Sequence, residues 1–484
     1  VALNGATVAV ATNSLGNDSI SNVEHIIGSA GVDVLRGDDS SVNTLLGNAG
    51  DDTLQVSGAN DVLNGGADTS GDTVDFSTST GVTITSLNAS GDGTATSNLG
   101  SDSLLDIEHI KGSSSGNDVI TGGDELNTLQ GQGGDDTFGS SLGDDVIDGG
   151  SGSDTVDYTN SATKVVVDLD GSNTILATHD GVSDSVKNVE NVVGTALADT
   201  ITGDDASNII SGAAQNDIID GESGDDTLSG DGGDDTLRGG TGDDVIDGGT
   251  GTNTADYSGN SAVNVDLSDS NAQDTTGAGT DTLSNIQNLI GSTGNDVLTG
   301  SSVANSISGG DGKDSLVASG GDDALNGGSG SDWVDYTSAT SNVTVTYSGS
   351  GNASASSTDF DTDTITSIEN VLGSNTNTDV ITGDDSDNTF LGQGGDDSLL
   401  GGAGDDSLSG GAGADTFTFT AVNHSSGATV DSVTDYLTGT DKLAFTLDYS
   451  ALVSGVTVVA DVTTAAAGTS ALAATLTGNR GQAV

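Results

Sequence analysis

The chain reads as an all-β solenoid, and three observations predict it. A nine-residue period runs through 194–257 with glycine at each first place: Gly194, Gly203, Gly212, Gly221, Gly230, Gly239 and Gly248. The eighth place of the same units is apolar, as Ile201, Ile210, Ile219, Leu228, Leu237, Ile246 and Ala255. The composition, with 76 Gly, 32% hydrophobic and 3% aromatic residues, does not suit an ordinary globular core. A period of nine belongs neither to a helix nor to a long alternating strand. Each unit is therefore a glycine-rich turn followed by a strand too short to bury anything alone. Only stacking such units produces a shared apolar interior.

Charge sets the conditions for stacking. Eight Lys and Arg stand against 74 Asp and Glu, a formal charge of -66 over 484 residues. Such a chain repels itself and is expected to compact only with counter-cations. It has no basic stripe, so nucleic acid and anionic membrane surfaces are not expected partners. An acidic disordered chain would share this composition, but disorder does not require an apolar residue at every eighth place of nine. Order with cations and disorder without them is the expectation. Cys, Met and Pro are absent, so any covalent-like staple must be a metal and no slow prolyl step exists. The missing initiator Met points to a processed chain or an excised part. No apolar run is long enough to span a bilayer, and no leader pattern is visible.

The turns carry the chemistry. Clustered glycines let backbone carbonyls curl toward a common point, and an Asp at the sixth place adds carboxylate oxygen. Several hard oxygen donors in a flexible arrangement suit Ca²⁺ better than zinc or copper. Units such as GGTGDDVID from Gly239 and GGAGDDSLS from Gly401 resemble the GGxGxDxUx repeat of the RTX (hemolysin-type calcium-binding) proteins. That resemblance implies a parallel β-roll, right-handed, with Ca²⁺ held between successive turns, exported by a type I system of a Gram-negative bacterium. Applied through the chain, the pattern assigns as metal ligands Asp52, Asp61, Asp118, Asp136, Asp145, Asp154, Asp199, Asp217, Asp226 and Asp235. Further along it assigns Asp244, Asp296, Asp314, Asp323, Asp332, Asp379, Asp397, Asp406 and Asp415. Asp as a mere turn former is the alternative, but turn propensity does not demand one fixed place in nine.

A longer repeat lies above the nine. NVEHIIGS from Asn22 returns as DIEHIKGS from Asp106, NVENVVGT from Asn188, NIQNLIGS from Asn285 and SIENVLGS from Ser367. Five modules follow from these anchors, at 1–77, 78–158, 159–257, 258–336 and 337–420, with 421–484 left as a cap and secretion-signal region. Each roll ends on a D-x-V/A-D-aromatic signature at 72–76, 154–158 and 332–336, with Asn253 departing from it in 253–257. The linkers alternate apolar residues, as Val165, Val167 and Leu169 or Val343, Val345 and Tyr347, and read as short strands. They continue the solenoid in a calcium-poor form or stand as separate small domains. The second unit of the later rolls puts Asn208, Asn305 and Asn388 where Asp is expected. Those units should keep the strand and bind calcium weakly or not at all. The first module carries an extra residue between Gly37 and Gly47, and its sites are the least regular.

The segment from Val430 to Leu443 resembles the piece that closes many type I-secreted RTX proteins, which implies a cap over the end of the roll. The last residues, from Asn479, lack the acidic and apolar finish of that family's secretion signal, so either the signal is unusual or the chain continues.

Other motifs are weaker. Asp359, Asp361 and Asp363 start like an EF-hand loop, but Thr364 stands where Gly is needed and no bidentate Glu follows. Gly112–Gly116 matches G-x-S-x-G in a Gly/Ser turn, without the strand-to-helix context of a hydrolase. His25, His109, His179 and His424 form neither a zinc spacing nor a triad. Trp333 replaces the Thr of other modules and is expected on the outer face, as a partner or sugar contact or packed on its own linker. The expected function is a non-enzymatic extracellular calcium-binding protein at the bacterial surface: an S-layer subunit, adhesin stalk or matrix filament. Self-association and contact with a surface polysaccharide are its expected partnerships, and membrane insertion is not expected. The alternative is the calcium-binding region of a larger secreted protease, lipase or polysaccharide epimerase. A secreted pore-forming toxin would need an apolar or acylated region that this chain lacks.

Overall fold

The computed structural model describes 23–67, 70–170, 174–420 and 431–446, together with the strands Ala9–Asn13, Gly16–Ile20 and Leu472–Ala473. His424, Val430 and the last residues from Asn479, where a secretion signal is expected, lie outside the described residues. Contacts divide the chain into two compact units, 1–253 and 254–484.

The first unit shows how a nine-residue period becomes a solenoid. Each nonapeptide is a turn plus a three-residue strand, and the strand pairs in parallel with the strand eighteen residues on, not nine. Thr200–Thr202 pairs with Ile218–Asp220, which pairs with Thr236–Arg238. The intervening strands form a second stack, Ile209–Ser211 on Thr227–Ser229 on Val245–Asp247. One coil is therefore two nonapeptides, with one strand in each of two facing stacks. A three-residue strand turns only its middle side chain inward, which is why the eighth place is apolar. Ile201, Ile210, Ile219, Leu228, Leu237 and Ile246 are all buried, whereas the neighbouring Ile209 and Ile218 face solvent. With two inward side chains per coil, the core is a thin double column, and the backbone ladder and the turns must supply the remaining cohesion.

The linkers continue the coils. After the second roll of this unit, Thr155–Asp157 pairs directly with Asn191–Val193, so one stack crosses the linker without interruption. The other stack takes in a meander: Val182–Lys187 lies parallel on Val146–Ser151, then come Ile175–His179 and Val166–Asp168, which hands on to Thr200–Thr202. The preceding linker does the same in the opposite stack through Gly100–Leu105, Gly93–Ser97 and Val82–Ile84. Val165, Val167 and Leu169 point inward, as their alternation predicts.

The second unit repeats the plan. Trp333–Asp335 pairs with Asn370–Leu372, while Thr362–Thr366, Asn352–Ser356 and Thr344–Gly349 bridge Ala324–Gly330 to Val380–Thr382. After the last nonapeptide, Ser432–Val433 and Lys442–Thr446 add one more strand to each stack, on Ser407–Ser409 and Thr416–Thr420. The aromatic that ends each roll, Phe76, Tyr158, Tyr257 or Tyr336, is fully buried.

Candidate metal sites

All nineteen aspartates assigned as ligands are buried, each no more than 2% exposed. Their two carboxylate oxygens have different fates. Oδ1 accepts the backbone N–H of the sixth residue one coil earlier. Asp118 donates to Asp136 at 2.8 Å, Asp136 to Asp154 at 2.7 Å, Asp199 to Asp217 at 2.7 Å, and Asp226 to Asp244 at 2.9 Å. Asp has the reach for this at the eighteen-residue spacing. Across the linkers, the anchor glutamates Glu108, Glu190 and Glu369 take over, accepting from Asp72, Asp154 and Asp332 at 2.9, 2.8 and 3.1 Å. Sequence reasoning found these anchors as a repeat and gave their Glu no role. A second ladder, also missed, runs along the surface at the fifth place. There Asp225 accepts from Asp243 N–H at 3.0 Å and Asp234 from Thr252 N–H at 2.8 Å.

Oδ2 is the informative atom. In Asp52, Asp136, Asp154, Asp217, Asp226, Asp235, Asp314, Asp332, Asp397, Asp406 and Asp415 it is buried with no hydrogen-bond partner. The first-place glycine opposite keeps a small space clear. A Cβ on Gly221 would clash with Asp226 Oδ2 and come within 2.7 Å of the Gly239 carbonyl oxygen. Gly230 faces Asp235 Oδ2 and the Gly248 carbonyl in the same way, and Gly392 faces Asp397 Oδ2 and the Gly410 carbonyl. A carboxylate oxygen and a carbonyl oxygen thus border one cradle with no donor between them. Leaving them there unpaired is costly, and a cation removes the cost.

The electrostatics agree. Burial, helped by neighbouring carboxylates, pushes the carboxyls of Asp154, Asp217, Asp226, Asp397 and Asp406 up to about 7, and those of Asp136 and Asp314 up to about 6. Among the described residues, no three His, Cys, Asp or Glu side chains converge on a metal-sized point. The donor set is therefore one carboxylate oxygen with backbone carbonyls, which fits Ca²⁺ and does not suit zinc. Asp226 with Gly239, Asp235 with Gly248 and Asp397 with Gly410 are representative residues that would hold it. The ion would supply charge neutralisation and a bridge between adjacent coils.

Not every turn is of this kind. In seven of the nineteen, Oδ2 receives a donor from the second residue of its own turn. Ser57, Ser141 and Ser319 give their hydroxyls to Asp61, Asp145 and Asp323 at 2.6, 2.7 and 2.9 Å. Ser113, Thr195, Ser292 and Ser374 give their N–H to Asp118, Asp199, Asp296 and Asp379 at 2.7, 2.6, 2.6 and 2.6 Å.

The Asn turns satisfy themselves as well. Asn208 Nδ2 donates to the Glu190 carbonyl at 2.7 Å while its Oδ1 accepts from Asp204 N–H at 2.8 Å. Asn305 and Asn388 repeat this on Gln287 and Glu369, at 2.7 and 2.9 Å. An amide supplies the donor that a carboxylate lacks, which is the physical reason for the expected weak binding.

The linker coils use a third device. Tyr257 and Tyr336 give their hydroxyls to Asp281 and Asp363 at 3.1 and 2.9 Å. In the corresponding linker of the first unit His179 Nε2 bonds Asp184 Oδ2 at 2.8 Å, its Nδ1 lies 2.9 Å from Ser161 Oγ, and its ring packs on Tyr158 with centroids 5.0 Å apart. The histidines do therefore yield one Ser–His–Asp line, which sequence spacing did not reveal because the hairpin brings the three residues together. His179 is only 3% exposed. Burial lowers its pKa, but the hydrogen bond and charge of Asp184, with Asp180, outweigh that and leave it raised.

The remaining motifs are structural. Asp359 is spent on the N–H and hydroxyl of Thr340, and Asp363 on Asp323 N–H and Tyr336, so the EF-hand-like run does not converge. His109 Nε2 lies 2.8 Å from the Ser70 carbonyl, and its Nδ1 accepts from Thr128 N–H at 3.1 Å. Trp333 is half-buried on the outer face, between Ser315 and Asn370 of the flanking strands.

The family model of the RTX calcium-binding nonapeptide repeat (4 copies) matches residues 39–70, 113–147, 140–159, 193–228, 220–255, 285–302, 299–334 and 376–418. These segments fall in all five modules and cover the eleven nonapeptide aspartates named above whose Oδ2 is partnerless. No curated protein matches the chain. Repeats of this family bind calcium and are typical of secreted proteins. Among the described residues, no helix is long and apolar enough to cross a membrane.

Proposed function

The chain is an RTX calcium-binding nonapeptide repeat protein, and on that premise we propose that it is a non-enzymatic extracellular structural protein at the bacterial surface. An S-layer subunit, an adhesin stalk or a matrix filament is meant, folding and self-assembling on Ca²⁺ after type I secretion. The observation that carries this reading is the recurrence of one partnerless carboxylate oxygen at one place of the nonapeptide in every module: Asp52, Asp136, Asp217, Asp314 and Asp397. Catalysis needs one constellation, whereas five equal copies serve a repeated mechanical task. A cleft of the first unit is lined by Asp168, Asp170, Asp204, Asp205, Glu222, Ile175 and Leu176, a lining of carboxylates and apolar side chains.

Sites with one carboxylate each bind Ca²⁺ in the extracellular class, roughly 10⁻⁴ to 10⁻³ M. They stay empty in a cytosol and fill outside, coupling folding to export. Outward side chains such as Trp333 are the contacts offered to a surface polysaccharide or to another copy.

Sedimentation velocity in chelator and then in millimolar Ca²⁺ tests the proposal. Conversion of an expanded species into large, chelator-reversible assemblies is expected for a lattice or filament. A compact, elongated monomer would favour a stalk or an enzyme-associated module, and no response to Ca²⁺ would refute calcium-coupled folding.

A further inference from the structure

The turns fall into two conformational classes that the sixth residue does not distinguish. In all eleven turns with a partnerless Oδ2, the second residue is left-handed. It is so even where it is not glycine: Asn48, Gln132, Ala213, Glu222, Asp231 and Gln393 have φ between 63° and 81°. A side chain there costs roughly 1–2 kcal/mol, so the conformation is imposed by the turn. Its carbonyl is committed to the next coil. Glu222 O accepts from Thr241 N–H at 2.9 Å, Asp231 O from Thr250 N–H at 2.7 Å, and Gln393 O from Ala412 N–H at 2.9 Å.

In the seven turns whose Oδ2 is satisfied, the second residue is Ser or Thr, and none of these seven has positive φ. Its N–H or hydroxyl reaches back to the carboxylate and fills the demand that the open turn leaves. The order is kept from module to module. The first turn after the anchor is closed by Ser or Thr, the second is closed by Asn, and the third is open. That holds at Asp118, Asn127 and Asp136, and again at Asp296, Asn305 and Asp314.

We infer that, where the sixth residue is Asp, the second residue of the nonapeptide decides whether its turn takes Ca²⁺: left-handed open turns hold the ion, turns closed by Ser or Thr stand without it, and so do the turns that carry Asn at the sixth place. Every module then opens on a coil that its own side chains complete, and calcium enters only the coils stacked after it. The inference rests on the calcium reading above and deepens it by dividing the aspartates into ligands and non-ligands.

The test is calcium stoichiometry by equilibrium dialysis on the full chain and on two triple variants. One carries Asp61→Asn, Asp145→Asn and Asp323→Asn in closed turns. The other carries Asp217→Asn, Asp235→Asn and Asp397→Asn in open turns. Asn keeps the Oδ1 acceptor and occurs naturally at this place, and circular dichroism at saturating Ca²⁺ confirms the fold. The closed-turn variant is expected to keep the full complement, and the open-turn variant to lose about three ions, one per site. Equal losses in both, a loss confined to the closed set, or an open set that keeps every ion would overturn the inference. A parent chain that binds no calcium would instead remove the calcium reading itself, and that outcome is seen before any variant is made.

Discussion

Replacing Asn208 by Asp restores the family's usual residue in a turn that departs from it, and the structure says that this change damages the protein even in saturating calcium. Asn208 is 1% exposed, and its amide nitrogen donates to the Glu190 carbonyl at 2.7 Å and to Asp204 Oδ1 at 3.3 Å. A carboxylate oxygen in that place donates to neither and sets a negative charge against two acceptors. Leaving the buried carbonyl unpaired costs about 1–3 kcal/mol, and repulsion from Asp204 acts in the same direction. A loss of about 2 kcal/mol lowers the unfolding midpoint by about 4–8 °C in a unit of this size.

The loss depends on pH. Burial and Asp204 raise the new carboxyl's pKa, so acidification protonates it, and the resulting hydroxyl donates to Glu190 as the amide did. Thermal unfolding of parent and Asn208→Asp, followed by circular dichroism at saturating Ca²⁺, should show the full gap at pH 8 and less than about 2 °C at pH 5. A variant at pH 8 that matches or exceeds its parent and gains a bound ion would refute the reasoning, because calcium would then replace the amide.

Two further outcomes follow from the same accounting of donors. In chelator, compactness should increase with acid. The open-turn carboxyls at about 7, such as Asp217 and Asp397, bind protons in the fold more tightly than the unfolded chain does at 3.8. Their contribution is therefore complete below about pH 4 and lost as pH rises through about 7. The calcium midpoint should fall over the same window as protons leave, and a sedimentation or dichroism titration that runs the other way contradicts the assignment. Tyr336→Phe should destabilise the second unit by about 1–3 kcal/mol with calcium present, since it strips the 2.9 Å hydroxyl from Asp363 Oδ2 and leaves that oxygen without a partner, as Asp102 Oδ2 is. Bound calcium should not decrease, because Asp363 lies in a linker coil; a loss of ions on dialysis would place Asp363 among the ligands.

Much of this architecture is legible in the chain because a repeat is a local property. The glycine at the first place, the Asp at the sixth and the inward residue at the eighth recur within nine residues, and the coils stack only if each is correct. The Asn turns could be told apart from the Asp turns by the residue type alone. The tertiary structure decided what depends on contacts between coils. Strands pair at eighteen residues and not at nine, because the chain alternates between two facing stacks. Anchor glutamates and linker aspartates complete a hydrogen-bond ladder from 36 to 41 residues away. A buried carboxylate is a ligand or a satisfied acceptor according to the backbone of a neighbour four or five residues before it, and Ser161, His179 and Asp184 meet only because a hairpin folds back. Sequence shows which groups are present in each turn. Whether a buried oxygen is short of a proton or a cation is settled by which donors reach it in three dimensions.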